Sequence, residues 1–132
     1  PHVVARILKL MARNKVNVIG SRVLILGLAF KENCPDIRNT KVLDIIRECG
    51  GLNASVTVND PWVDPENAVQ ECGVELDPDP DPNSYDVIIL AVPHHQYVGE
   101  DAELPVRKYL RSGGFIFDVK SALEKAEDVY RL

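Results

Sequence analysis

Apolar positions along this chain follow two different periods. Val3, Val4, Ile7, Leu8 and Met11 fall on one face at helical spacing, which predicts an amphipathic helix at the start of the chain. Strands are predicted over 22–27, 54–59, 86–92 and 115–119. The uninterrupted apolar run Arg22 to Gly27 suits a strand covered on both faces. Thr40 to Glu48 reads as a helix, with Val42, Leu43, Ile45, Ile46 and Cys49 marking its buried stripe and Gly50-Gly51 ending it. Pro65 to Cys72 predicts a shorter helix, with Asp64 as N-cap and Gly73 as stop. Val74 to Leu76 predicts a short strand, Ala102 to Arg111 a helix, and Ser121 to Tyr130 a closing turn or helix. Between them, Asp77 to Asn83 alternates acid with proline, which forbids helix and interior strand and leaves an extended loop. Those prolines stretch the carboxylates apart, so the run is not read as a calcium loop.

Strands alternating with helices at this spacing imply right-handed crossovers. The expected fold is α/β: a Rossmann-like, doubly wound, parallel five-stranded sheet of order 3-2-1-4-5 with helices on both faces. In such a sheet, ligands sit beyond the carboxyl ends of the strands, where strands 1 and 4 diverge in winding. The loop after strand 1 supplies Phe30, Lys31 and Arg38, the loop after strand 4 supplies His94 and His95, and the end of strand 5 supplies Lys120. Arg38 and Lys41 lie near a helix amino end, which is already positive, and each costs roughly 0.3–1 kcal/mol there if exposed. A bound anion would reverse the sign of that cost. Local neutralisation by Asp36 and Glu32 is the alternative, but the convergence of basic groups on one rim favours an anion site.

Composition narrows the partners. The 132 residues are 45% hydrophobic and 27% charged, as for one ordinary globular domain with a real core. A net charge of -5 opposes a nucleic-acid or anionic-membrane partner, so any phosphate site must be local. No apolar run approaches the roughly 20 residues that span a bilayer, and no secretory leader is evident; the expected location is cytoplasmic. Cys34, Cys49 and Cys72 include no CxxC pair, which argues for free thiols in a reducing compartment and against a disulfide framework or structural metal site. The chain opens at Pro1 directly into a helix without a capping residue, as expected of a domain excised from a longer protein.

Several chemically suggestive residues carry plainer readings. Gly27-Leu-Ala-Phe30 lacks the second and third glycines of a dinucleotide loop, so the sheet is not expected to hold a whole NAD by itself. Asp60, at the end of strand 2, stands where an acid often binds ribose, but before Pro61 and Trp62 a turn role is favoured. Cys34 has cations nearby but no adjacent base, which favours packing over nucleophilic work. Adjacent His94 and His95 diverge and lack a third metal ligand, and Trp62 and Tyr97 read as packing residues.

The stretch Gly27-Leu-Ala-Phe30-Lys31-Glu32-Asn33-Cys34-Pro35-Asp36-Ile37-Arg38-Asn39-Thr40 resembles the opening of the carboxyl-terminal, UDP-binding domain of the UDP-glucose/GDP-mannose dehydrogenase family. Its wording is most similar to the UDP-N-acetylhexosamine branch. The likeness continues through Asn59 to Pro65, Tyr85 to Val92 and Phe117 to Lys120. It implies residues 1–20 as the end of a linking helix plus connector, and 21–132 as the UDP-sugar-binding domain of a longer enzyme. Phe30, Lys31 and Lys120 match substrate-contacting positions, the last often arginine in the family. Arg38 matches an arginine that reaches the NAD phosphates. The implied reaction oxidises the sugar C6 alcohol to a carboxylate with NAD, through a thioester on an upstream cysteine; no catalytic and no metal-binding residue is assigned in this fragment. The implied partners are a UDP-sugar and the NAD-binding amino-terminal and central domains of a parent enzyme that is a homodimer or larger and serves polysaccharide biosynthesis. A UDP-glucose 6-dehydrogenase domain, and a non-catalytic regulatory or scaffold module of the same fold, are the alternatives.

Overall fold

A computed structural model of the chain describes residues 2–38 and 40–132. Pro1, from which the excised-domain expectation starts, and Asn39, inside the stretch that carries the resemblance, lie outside the described residues. The elements run α1 (His2–Arg13), β1 (Arg22–Leu26), α2 (Val42–Gly51), β2 (Ser55–Asn59), α3 (Pro65–Asn67), β3 (Tyr85–Leu90), β4 (Leu110–Asp118) and β5 (Val129–Arg131). A wider helical turn, Ala68–Cys72, continues α3, and a 3-10 turn, Val106–Tyr109, precedes β4.

The five strands form one parallel sheet in the order β2-β1-β3-β4-β5. Because side chains alternate across each strand, two cores result. Val23 and Ile25 of β1, Val87 and Ile89 of β3, and Phe115 and Phe117 of β4 face α1 and α2, meeting Val4, Ile7, Leu10, Met11, Val42, Ile45 and Cys49. Leu24, Leu26, Ile88, Leu90 and Ile116 face the other way, onto Tyr85, Tyr97, Val106 and Tyr109. The opening helix is thus part of this domain's own core.

The doubly wound parallel sheet expected from sequence is present, with three local differences. Residues 74–76 give only a single parallel bridge, Leu76 to Val58, beyond the β2 edge. The Asp77 amide still donates to the Val58 carbonyl, but Pro78, Pro80 and Pro82 follow and have no N–H with which to extend a ladder. The fifth strand is instead β5, at the opposite edge, where a turn or helix over 121–130 was expected; Val129, Tyr130 and Arg131 pair with Ile116, Phe117 and Asp118. The helix expected over 102–111 is absent, since Pro105 removes an amide and disfavours helical backbone at Leu104. Only the 3-10 turn forms there, and β4 begins at once.

The strand expected over 115–119 begins five residues earlier, at Leu110, while the signals around α3 hold. Asp64 caps α3 by accepting the Glu66 amide at 3.3 Å, and Gly73 ends the following turn in the left-handed conformation, φ 68°. α2 runs through Gly50 and Gly51, one turn further than the glycines suggested.

Candidate functional site

The strand order places a crevice where β1 and β3 are neighbours and the chain winds away from them in opposite directions. Beyond their carboxyl ends lies a cavity of about 510 Å³, within the range of small-ligand sites. Ala29, Phe30, Lys31 and Glu32 line it from the loop after β1, Ala91, Val92 and Pro93 from the loop after β3, and Val119 and Lys120 from the end of β4. The first turn of α2 closes one side with Thr40, Lys41, Val42, Asp44 and Ile45, and Val3 and Leu132 complete the rim.

Lys31, Lys41 and Lys120 therefore share one cavity with Glu32 and Asp44, leaving cations in excess on an acidic domain. The α2 amino end adds to this. Lys41 occupies its N-cap without a side-chain cap, and only Thr40 contributes, its Oγ1 accepting the Val42 amide at 3.2 Å. The Asp44 amide donates to the Lys41 carbonyl at 3.2 Å, and the helix end as a whole keeps its positive character, which suits an anion. Phe30 is 57% exposed, an apolar ring offered at the mouth beside these charges.

Rim geometry is set from behind by buried polar groups. Asp60 Oδ2 accepts the amides of Leu28 and Ala29 at 2.7 and 2.9 Å, while Oδ1 accepts those of Trp62 and Val63 at 2.8 and 3.2 Å. Asp60 Oδ2 also lies 2.9 Å from His94 Nε2, with both side chains fully buried. Burial pushes the Asp60 carboxyl up, but the hydrogen bonds from His94, Leu28 and Ala29 outweigh it and hold the group below its ordinary value. Nearby, Tyr97 donates its hydroxyl to Asn59 Oδ1 at 2.6 Å, and Asn59 Nδ2 donates to the Asp77 carbonyl at 2.8 Å. Burial raises the Tyr97 hydroxyl well above its usual range, so it stays a neutral donor. On the β4 side, Asp118 accepts the amides of Ala122 and Leu123 at 3.0 and 2.8 Å, shaping the turn that carries Lys120.

Arg38 stands apart. Its guanidinium forks onto Asp36, with Nε–Oδ1 3.1 Å and Nη2–Oδ2 3.0 Å, and its side chain is 80% exposed outside the cavity lining. The Arg38 hydrogen bonds hold the Asp36 carboxyl down to about 2. Cys34 is half-buried outside the cavity lining, and burial pushes the Cys49 thiol up to about 11 and raises Cys72 as well.

A crevice with this winding, a phenylalanine and lysines from three separate segments calls for comparison with nucleotide-sugar proteins. Residues 24–125 match the UDP binding domain of the UDP-glucose/GDP-mannose dehydrogenase family. The chain belongs to that family. It is 43% identical over 131 residues to UDP-N-acetyl-D-glucosamine 6-dehydrogenase of Pseudomonas aeruginosa, covering 99% of this chain and 31% of that relative. The protein of the same name from Salmonella typhi is 38% identical, again over 99% of this chain and 31% of the relative. The crystal structure of NDP-N-acetyl-D-galactosaminuronic acid dehydrogenase from Methanosarcina mazei Go1 superposes with a TM-score of 0.76 at 25% identity, over 99% of this chain and 28% of that one. The chain spans under a third of these relatives, all of them dehydrogenases by name.

As a UDP binding domain of this family, the chain brings together three of the four residues singled out from sequence: Phe30, Lys31 and Lys120. Lys41 was visible near a helix start, but which way that helix end faces depends on how α2 docks. The buried Asp60–His94 pair was missed because each residue alone has an ordinary reading. The Asp60 turn role is real, yet it accounts for only one of the two carboxylate oxygens.

A whole NAD does not fit these residues. A Cβ at Gly27 would already lie 2.5 Å from Val92 Cβ, so the turn after β1 is filled by the protein itself. The acid at the end of β2 is buried and occupied by four amides and a histidine, leaving no oxygen for a ribose.

Proposed function

We propose that this chain is the UDP-sugar-binding carboxyl-terminal domain of an NAD-dependent nucleotide-sugar 6-dehydrogenase that converts a UDP-N-acetylhexosamine to its hexosaminuronate. The observation that supports it is the cavity shared by Phe30, Lys31 and Lys120 at the winding switch of the sheet. The diphosphate lies among Lys31, Lys41, Lys120 and the α2 amino end, and Phe30 covers an apolar face of the nucleotide sugar. Three ammonium groups on flexible stems can neutralise a diphosphate without imposing one planar geometry, as arginine would. Residues 1–20 are the end of a helix, plus a connector, linking this domain to the rest of the enzyme, and 21–132 the ligand-binding unit. NAD and the thiol nucleophile belong to the rest of a parent enzyme that is a homodimer or larger, acting in the cytoplasm in polysaccharide biosynthesis. Arg38, held by Asp36 outside the cavity lining, faces the NAD phosphates when the domains close.

Calorimetric titration of the chain with UDP tests the reading. Lys31→Ala and Lys120→Ala should each weaken binding by about tenfold, as loss of a charge-assisted hydrogen bond does. Arg38→Ala should leave UDP affinity unchanged in this chain. Absence of UDP binding at millimolar concentration would overturn autonomous recognition. It would then favour the non-catalytic scaffold reading, which the closed Arg38–Asp36 pair also suits.

A further inference from the structure

The loop that presents Phe30 and Lys31 is gripped at both ends by groups that do not line the cavity. At its start, Asp60 Oδ2 accepts the Leu28 and Ala29 amides. At its end, the Asn33 amide donates to His94 Nδ1 at 2.8 Å, and Asn33 Oδ1 accepts the His95 amide at 2.9 Å. Asn33 has φ 55°, a left-handed conformation that asparagine tolerates better than most residues with a side chain. His94 is fully buried, between the Asn33 amide and the Asp60 carboxylate.

The hydrogen on the His94 ring follows from its partners. A backbone N–H can only donate, so Nδ1 must accept. Nε2 therefore carries the hydrogen and donates it to Asp60. The ring is a directional link: the carboxylate fixes its orientation and tautomer, and the free lone pair fixes the far end of the loop.

We infer that His94 is a positioning residue for ligand binding, holding Phe30 and Lys31 in their cavity-facing conformation through the Asn33 amide. This rests on the reading of the cavity as the UDP site. Without the link, the loop samples other conformations, and the ligand must order it on binding.

Two isosteric variants separate the functions of the ring nitrogens. In His94→Asn the side-chain oxygen replaces Nδ1 and can still accept from Asn33, but nothing reaches Asp60. In His94→Gln the amide nitrogen replaces Nε2 and can still donate to Asp60, but the Asn33 amide loses its acceptor. UDP titration of the chain should give affinity within about threefold of wild type for His94→Asn and about tenfold weaker for His94→Gln. Amide hydrogen exchange at Asn33 should accelerate only in His94→Gln. Equal losses in both variants would reduce His94 to general packing and overturn the inference, as would wild-type affinity in His94→Gln. A measurement on the wild-type chain stands if either variant does not fold. Nitrogen NMR should show the Nε2–H tautomer and a protected Asn33 amide; the Nδ1–H tautomer or a fast-exchanging Asn33 amide would overturn the inference. A wild-type chain that keeps the tautomer and the protected amide but ignores UDP would sink the ligand assignment instead.

Discussion

The two ends of the parallel sheet handle charge in opposite ways. At the amino end, the mostly buried Asp86 meets the Arg111 guanidinium and accepts the Arg22 amide at 2.7 Å, while the half-exposed Arg22 also reaches the exposed Asp81 at 3.5 Å. Arg22 also lies over the Tyr85 ring, 4.6 Å from its centroid. At the carboxyl end, Asp60, His94, Asn59 and Asp118 are all buried. Exposed pairs contribute little because water already solvates each partner. Buried ones hold three loops in one arrangement and become costly as soon as one partner is removed. The difference shows where backbone precision is needed: the end that lines a cavity carries its polar groups inside.

Asp60→Ala should break this contrast most severely. It leaves four amides and a histidine without their acceptor, and urea unfolding should register a loss of at least about 3 kcal/mol. A loss below about 1 kcal/mol would show the buried network to be no more consequential than a surface pair. Next in size is Gly27→Ala. Its new Cβ would meet Val92 Cβ at 2.5 Å and the Val92 backbone at 2.8 Å, in a residue with φ 100°. Overpacking and backbone strain together should cost about 2–3 kcal/mol. Gly50→Ala, with nothing within 4 Å, should instead stabilise α2 by about 0.5–1 kcal/mol in the same assay.

Acid titration sharpens the comparison further. The folded Asp60 carboxyl lies below its ordinary value of 3.8. Its contribution to stability is therefore complete above the unfolded value and is lost as pH falls through the folded one. Asp60→Asn should flatten the acid limb of the stability profile below about pH 4. An unchanged limb would show that other carboxylates set it. The smallest effect belongs to the amino end: Asp81→Ala, which removes the exposed partner of Arg22, should cost less than about 1 kcal/mol, with part of that difference vanishing at high salt. A larger loss would erase the distinction between the two ends.

Much of this architecture was legible in the order of residues. Long apolar runs bounded by polar turns identify β1, β3 and β4, because a strand covered on both faces has no polar side to reveal. Asp64 and Gly73 mark the ends of a helical segment by local hydrogen bonding and backbone freedom alone. β5 was not legible: three residues give too little pattern, and Val129 to Arg131 become a strand only because Ile116 to Asp118 offer an open edge. The segment 102–111 misled for a related reason, since its apolar positions cover the sheet without needing helical periodicity, and Val106 and Tyr109 reach the core from a 3-10 turn.

By itself the sequence determined the parallel α/β class and placed Phe30, Lys31 and Lys120 beyond the carboxyl ends of the strands, because strand periodicity and winding rules act over short distances. Only the tertiary structure decided that Lys41 joins them, that Arg38 turns outward to Asp36, and that Asp60 and His94 close on each other. Hydrogen bonds between residues 34 positions apart leave no local trace in composition or spacing. They come into being when packing removes water from both partners and leaves neighbouring protein groups as the remaining source of hydrogen bonds.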